Sequence, residues 1–234
     1  MLMVTQLIGF GAGGSNQVKP PSYAFCDARH DLPTNQNPMT VAGLSFGTES
    51  PTRRIVVGIA CVNGTAAGEP SSCTIGGVAA TLHASRPAPN GTTNAVVQIW
   101  SALVPTGTTG TVEWSVPSGD IDGGSIYVWA AYDLASGTST DTASGTQGGA
   151  TTTIDLSLDV EAGGGVFAIA GTSGALAETW TWVGATKDGT DDTTVNFQAS
   201  GAHESDVAAA APRTVTVATP VGGTNVQAVA VSFR

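Results

Sequence analysis

Charge is scarce in this chain. Charged side chains make up 11% of its 234 residues, and the formal net charge is −10 at pH 7. Only two of the charged residues are lysines. An acidic surface with so few cations repels phosphate backbones and anionic lipid headgroups. The composition therefore argues against nucleic acid and against a membrane as partners.

Long hydrophobic runs and cysteine motifs are also missing. No stretch reaches 18 apolar residues, the length that a membrane-spanning helix needs, and the first ten residues lack the basic and apolar regions of a secretory signal. We therefore expect a soluble protein that is made in the cytoplasm. Its three cysteines have no Cys-x-x-Cys spacing, which argues against a zinc or redox motif. A disulfide between Cys61 and Cys73, or free thiols at both, are the alternatives.

The pattern that is present has a period of two. Residues 111–116, 153–160 and 213–217 alternate between aliphatic and polar side chains, as half-buried strands do. Residues 55–60 and 166–170 are apolar on both faces, which is typical of central strands covered on both sides. Turns rich in glycine, asparagine and aspartate separate these runs, and helical periodicity is nearly absent. The sequence predicts an all-β fold, a jelly-roll-like β-sandwich.

Two parts of the chain differ in organisation. Residues 39–234 carry the strand pattern, in two halves that repeat a similar series of five strands. We interpret them as one continuous sandwich, and a division near the polar stretch 136–150 is the alternative. Residues 1–38 hold four prolines and little alternation, which predicts an extended N-terminal arm that orders against another subunit. Its expected contacts are Leu7, Ile8, Phe10, Tyr23 and Phe25.

Motifs of enzymes occur without the structure that they need. A Gly-x-Gly-x-x-Gly sequence at residues 9–14 is followed by Pro20 and Pro21, where nucleotide binding requires a helix. Ser45 lies in a Gly-x-Ser-x-Gly sequence that also precedes no helix. The acidic residues fall mainly in turns or on polar strand faces, which does not indicate a pair of glycosidase carboxylates. We predict that the chain is not an enzyme.

Two acidic loops, residues 120–123 and 187–192, are the candidates for a Ca²⁺ site. Neither has the ligand spacing of a complete twelve-residue calcium loop, and acidic glycine turns commonly serve as turns alone. No cofactor is therefore expected, with Ca²⁺ as the alternative.

Trp180 and Trp182 share one face of a predicted strand and are flanked by Thr179 and Thr181. Tryptophan is usually buried or placed at subunit interfaces, which is the first interpretation of this pair. The alternative is an exposed pair that contacts a partner or stacks on a sugar ring.

Several strand-and-turn phrases resemble a known group of proteins. They are Leu44-Ser45-Phe46-Gly47, Cys73-Thr74-Ile75-Gly76-Gly77-Val78 and Ile99-Trp100-Ser101-Ala102-Leu103-Val104-Pro105-Thr106-Gly107-Thr108. The chain resembles β-sandwich structural proteins of tailed bacteriophages and prophages, especially those of alphaproteobacteria. The resemblance implies a virion protein that is assembled in the host cytoplasm, and it transfers no catalytic residue.

On this basis the first hypothesis is a capsid decoration or cement protein. It would be a homo-oligomer, with a trimer as the expected state, and would bind the major capsid protein. A tail-tip or baseplate component that contacts tail proteins and the host surface is the second hypothesis. A carbohydrate-binding module is the third.

Overall fold

The computed structural model describes residues 19–63, 68–88, 94–147, 152–173, 179–193, 197–208, 212–219 and 224–234. Strands, turns and loops account for all of these residues. Within them no helix is long and apolar enough to cross a membrane. The all-β prediction is confirmed.

Seventeen strands run through the described ranges. The first nine are β1 (Ser22–Arg29), β2 (Met39–Ser45), β3 (Arg54–Asn63), β4 (Ser72–Ile75), β5 (Val78–Ala79), β6 (Thr81–Pro87), β7 (Asn94–Leu103), β8 (Thr109–Ser115) and β9 (Ile121–Tyr132). The others are β10 (Asp141–Gln147), β11 (Thr152–Leu158), β12 (Gly164–Ser173), β13 (Thr181–Val183), β14 (Thr186–Thr193), β15 (Phe197–Val207), β16 (Arg213–Thr219) and β17 (Thr224–Phe233).

These strands form four antiparallel sheets, and no sheet mixes β1–β9 with β10–β17. Inner sheet 1 has the order β1-β9-β3-β7-β6, and outer sheet 1 has the order β2-β8-β4-β5. Inner sheet 2 has the order β10-β17-β12-β15-β14, and outer sheet 2 has the order β11-β16-β13. The change from one half to the other falls between Tyr132 and Asp141, which overlaps the polar stretch 136–150.

The two halves have the same topology. Replacing β1 to β4 by β10 to β13, and β6 to β9 by β14 to β17, converts the strand orders of the first half into those of the second. Among the described strands only the two-residue β5 has no counterpart. The repetition seen in the sequence is therefore a repetition of strand order, with each half built as a two-sheet sandwich.

The sheets stack in four layers with three apolar cores between them. The first core lies between outer sheet 1 and inner sheet 1, the second between the two inner sheets, and the third between inner sheet 2 and outer sheet 2. In β3, Ile55 and Val57 point into the first core, whereas Val56 and Ala60 point into the second. Central strands of the inner sheets, such as β3 and β12, are apolar on both faces because both faces are buried, and the sandwich prediction is confirmed.

The second core is tightly packed. It contains the rings of Tyr127, Trp129, Phe167 and Phe233, and the first two are stacked with their centroids 6.2 Å apart. A Cβ atom on Gly201 would lie 2.5 Å from the Tyr127 ring, so only glycine permits this approach of the inner sheets. The halves are thus joined by a core of the same kind as the one inside each of them.

Candidate functional site

The predicted arm contacts divide into two groups. Leu7, Ile8 and Phe10 lie outside the described residues. Tyr23 and Phe25 belong to β1, the edge strand of inner sheet 1, and their rings pack against the second core. The Tyr23 hydroxyl donates a hydrogen bond to the Phe233 carbonyl oxygen at 3.2 Å, and burial raises the pKa of Tyr23 to about 12. The contacts of these two side chains are therefore within the chain.

Trp180 and Trp182 differ in solvent exposure. Trp180 is 1% exposed in the third core, whereas Trp182 is partly buried and packs against the same core from β13. The Trp182 indole N–H donates to Ser200 Oγ at 2.9 Å. Trp180 presents almost no surface to a sugar ring in this arrangement, so a flat pair of exposed rings is not formed. The structure gives the pair a packing role, and contact with a partner stays a prediction.

Ser45 ends strand β2, and a loop follows it rather than a helix. Its backbone N–H donates to Asp27 Oδ2 at 2.8 Å. A nucleophile elbow requires a strand, a sharp turn and a helix, which the described chain does not have here.

A serine and a histidine that sequence reasoning did not pair are in contact between the inner sheets. His83 Nε2 on β6 is 2.7 Å from Ser101 Oγ on β7, and Arg54 Nη1 donates to the same oxygen at 3.1 Å. Ser101 has no exposed surface, and the His83 ring packs edge-on against Phe233. Burial, and then the charge of Arg54, lower the pKa of His83 to about 4. The imidazole is uncharged at neutral pH, and a substrate cannot reach the serine without separating the sheets.

A second polar pair occupies the equivalent place in the other half. His203 Nδ1 on β15 lies 2.8 Å from both carboxylate oxygens of Asp188 on β14. Asp188 is 5% exposed, and its Oδ2 also accepts a hydrogen bond from the Trp129 indole at 2.7 Å. Strands β14 and β15 correspond to β6 and β7, so each half places one histidine pair where its edge strand faces the other half. The Asp188 network links inner sheet 2 to inner sheet 1.

The two segments expected to be acidic loops lie largely in strands: residues 121–123 begin β9, and residues 187–192 belong to β14. Asp188 belongs to the network with Trp129 and His203, whereas Asp122 is exposed. No cluster of three or more histidine, cysteine or acidic side chains arranged for a metal ion occurs among the residues that the structure describes. The described residues therefore offer no set of ligands for the Ca²⁺ alternative.

All three cysteines are free thiols. Cys61 and Cys73 belong to the first core, and burial raises the pKa of each to about 12. Burial also raises the pKa of Cys26 to about 11. Thiols of this kind are protonated at neutral pH and react slowly.

The outward faces of the two outer sheets form two further surfaces of the described chain. On outer sheet 1 one row across the strands consists of Thr40, Glu113 and Thr74, and Thr40 Oγ1 donates to Glu113 Oε2 at 3.1 Å. On outer sheet 2 the matching row consists of Asp155, Thr216 and the exposed Val183, and Thr216 Oγ1 donates to Asp155 Oδ1 at 2.6 Å. Each of these rows therefore carries hydroxyl groups and one carboxylate, which accepts a hydrogen bond from a neighbouring threonine.

Other outward positions of outer sheet 2 continue this chemistry. Thr153, Ser157, Thr214 and Thr181 are exposed, and their cross-strand neighbours are small or hydroxylated. Alternation along the strands predicted that these side chains point outward. The sequence did not reveal that two such faces lie on opposite sides of one stack, because this depends on how the inner sheets pack.

Comparison of the sequence with protein-family models and with curated proteins finds no match. Function is therefore inferred from the residues and from their geometry.

Proposed function

We propose that this chain is a non-enzymatic structural protein of a bacteriophage particle, which decorates the head by bridging neighbouring subunits of the major capsid protein. The observation that carries the proposal is the doubled sandwich. Its four layers direct two outer faces of like chemistry away from each other. A rigid body with two similar faces is suited to joining two neighbours.

The chemistry of the outer faces supports a role in protein contacts. Threonine and serine hydroxyls both donate and accept hydrogen bonds, and β-branched side chains hold few rotamers. Burying such a face costs little side-chain entropy, and it desolvates few charges, since the rows described above contain one carboxylate each, Glu113 and Asp155. Protein interfaces are typically depleted of charge at their centres, which these faces match.

The buried histidine pairs support a structural role for the inner sheets. A general base works best with a pKa near the operating pH, whereas the pKa of His83 is lowered to about 4. Its partner Ser101 is fully buried, and the carboxylate of Asp188 is bound by both His203 and Trp129. These groups hold strands and sheets together.

The remaining parts of the proposal follow from assembly on a particle. The chain is made in the host cytoplasm and resides in the virion, and it assembles as a homo-oligomer with a trimer as the expected state. It uses no cofactor, and the N-terminal residues reach a neighbouring subunit. A tail-tip or baseplate position that contacts the host surface is the alternative location.

Immunogold electron microscopy of intact particles tests the proposal. An antibody against the recombinant chain should place gold over the heads. Gold confined to the tail end would replace decoration by the adsorption role. Particles that stay unlabelled, while the same antibody detects the pure chain, would refute an exposed virion role.

Variants of the two outer faces test the bridging geometry. Thr40→Arg alters outer sheet 1 and Thr214→Arg alters outer sheet 2, and Gln147→Arg adds the same charge at the exposed end of β10. We expect each face variant to weaken particle binding by tenfold or more, about 1.4 kcal/mol, and the control to bind normally. Normal binding by both face variants would contradict the bridging role of the outer sheets.

A further inference from the structure

An uncharged groove opens at the end of the first sandwich. It has a volume of about 380 Å³ and lies between the Gly76-Gly77 turn, residues 104–106 and the start of β8. Phe46, which is 1% exposed, and Val104, which is 6% exposed, lie within its wall. None of the residues that line it is charged. Such a groove favours an occupant that brings no charge.

The groove is held open by one buried cation. The guanidinium of Arg53, which has no exposed surface, donates to the carbonyl oxygens of Phe46 and Gly47 at 3.1 Å each. It also donates to those of Thr106 and Gly107 at 2.9 and 2.7 Å. These contacts tie the two loops that carry the walls, so the groove exists before anything binds. A preformed site loses less entropy on binding than a flexible one.

One exposed apolar side chain stands at the opening. Val78 lines the groove and is 42% exposed, which makes it one of four exposed large hydrophobic residues among those that the structure describes. Burial of this side chain under an occupant would stabilise binding.

The chain itself contains a segment of matching chemistry. Residues 1–18 contain no charged side chain, and residues 3–10 include five aliphatic or aromatic residues, Met3, Val4, Leu7, Ile8 and Phe10. A second cavity, of about 410 Å³, has Lys19, Asp133, Glu161 and Arg234 in its lining. An apolar segment placed there would desolvate charges without pairing them, so the uncharged groove suits it better.

The distance can be bridged. Lys19 Nζ lies 2.7 Å from Asp133 Oδ2, and Thr52 Oγ1 donates to Asp133 Oδ1 at 2.7 Å. Ser50, two residues before Thr52, donates its N–H to the carbonyl oxygen of Pro105, which lines the groove, at 3.2 Å. The described chain thus begins a few side chains from the groove, and residues 11–18 span up to roughly 26 Å when extended.

We propose that residues 3–10 of this chain bind in the uncharged groove, in the same chain or in a second copy. The groove is therefore the receptor for the N-terminal arm, a self-recognition site that needs no other virion protein. This goes beyond the proposed particle role and does not depend on it. In a second copy the arm would make the contact with a neighbouring subunit proposed above, and in the same chain it would replace that contact.

Hydrogen exchange on the full-length chain tests the proposal without particles. Amides of residues 3–10 should be protected in the wild type, and Val78→Asp should reduce that protection about tenfold by placing a charge in the groove. Val183→Asp is the matched control, because Val183 is 68% exposed on outer sheet 2. Thr109→Arg changes an exposed residue that lines the groove. It provides a second blocking variant in case Val78→Asp disturbs the pairing of β4 with β5.

The outcomes separate clearly. Protection that both groove variants abolish and Val183→Asp preserves supports the proposal. Unprotected amides in the wild type, or protection that neither groove variant changes, would overturn it. A disulfide trap between Leu7→Cys and Val78→Cys then identifies whose groove is used: an intramolecular bond gives a compact monomer and an intermolecular bond gives a dimer, both in support. Failure to form either bond, when the cysteines are shown to be reactive, counts against the proposal.

Discussion

Removal of the Arg53 side chain should destabilise the first sandwich strongly. Its guanidinium donates five hydrogen bonds to backbone carbonyl oxygens, the fifth from Nε to Val104 at 2.8 Å, and no carboxylate is among these partners. Hydrogen bonds from a charged group contribute about 1.5–3 kcal/mol each. The sum of these five contributions overstates the loss of stability on removing Arg53, because a buried cation costs several kcal/mol to desolvate. In addition, the carbonyl oxygen of the exposed Thr106 can bond to water once the guanidinium is gone.

We therefore expect Arg53→Met to lower the free energy of unfolding by about 3–5 kcal/mol. With a slope of about 2 kcal/mol per molar urea, the midpoint should fall by about 1.5–2.5 M, measured by tryptophan fluorescence. Arg53→Lys should give an intermediate loss, since an ammonium group has three donors and no planar fork.

Arg54 supplies the matched control. It is the next residue along the chain and is partly buried, and its guanidinium donates one side-chain hydrogen bond, to Ser101 Oγ at 3.1 Å. Arg54→Met should cost about 1.5 kcal/mol or less. Two results would contradict this reasoning: a loss of unfolding free energy in Arg53→Met below about 1 kcal/mol with an unchanged slope, or a loss no larger than that of Arg54→Met. Either would mean that the hydrogen bonds from Arg53 to the carbonyl oxygens do not stabilise the first sandwich as proposed.

Three further predictions concern the cores. Because the pKa of His83 is lowered to about 4 from 6.5, the unfolded chain binds a proton between these pH values that the folded chain does not. Acidification from pH 7 to 4 should therefore cost about 1–2 kcal/mol through this partly exposed ring, and His83→Gln should remove that part of the slope in urea titrations. Cys61 and Cys73 should resist a thiol reagent such as dithiobisnitrobenzoate in the native state, and all three cysteines should react in urea. Gly201→Ala should cost about 1–3 kcal/mol in thermal unfolding by forcing the inner sheets apart, whereas Gly68→Ala, whose Cβ would meet only Pro117 at 3.4 Å, should be tolerated.

Each of these has a contradicting result. An unchanged pH slope in His83→Gln would mean that other groups carry the acid sensitivity. Release of a single thiol in urea would indicate a Cys61–Cys73 disulfide. Equal melting temperatures for Gly201→Ala and the wild type would show that the inner sheets can move apart at little cost.

Much of the fold was accessible from periodicity, whereas the polar contacts were not. Alternation at residues 153–160 predicted a half-buried strand, and β11 is buried at Ile154, Leu156 and Leu158. The pairing of His83 with Ser101, and of His203 with Asp188, joins residues 15–18 positions apart across strand pairs. No local pattern specifies that register, so these contacts could not be predicted.

The sequence by itself determined the strands, the turns and the faces that are apolar, because a period of two and the residues that break it are local properties. Residues 55–60 and 166–170 are apolar on both faces, so the sequence already required that both faces of these strands be buried. Only the tertiary structure decided what covers them: two sandwiches of equal topology pack back to back, and the open faces become the outer sheets. That choice depends on the fit of side chains distant in sequence, such as Gly201 under Tyr127, and it also fixes where Arg53 gathers two loops around an uncharged groove.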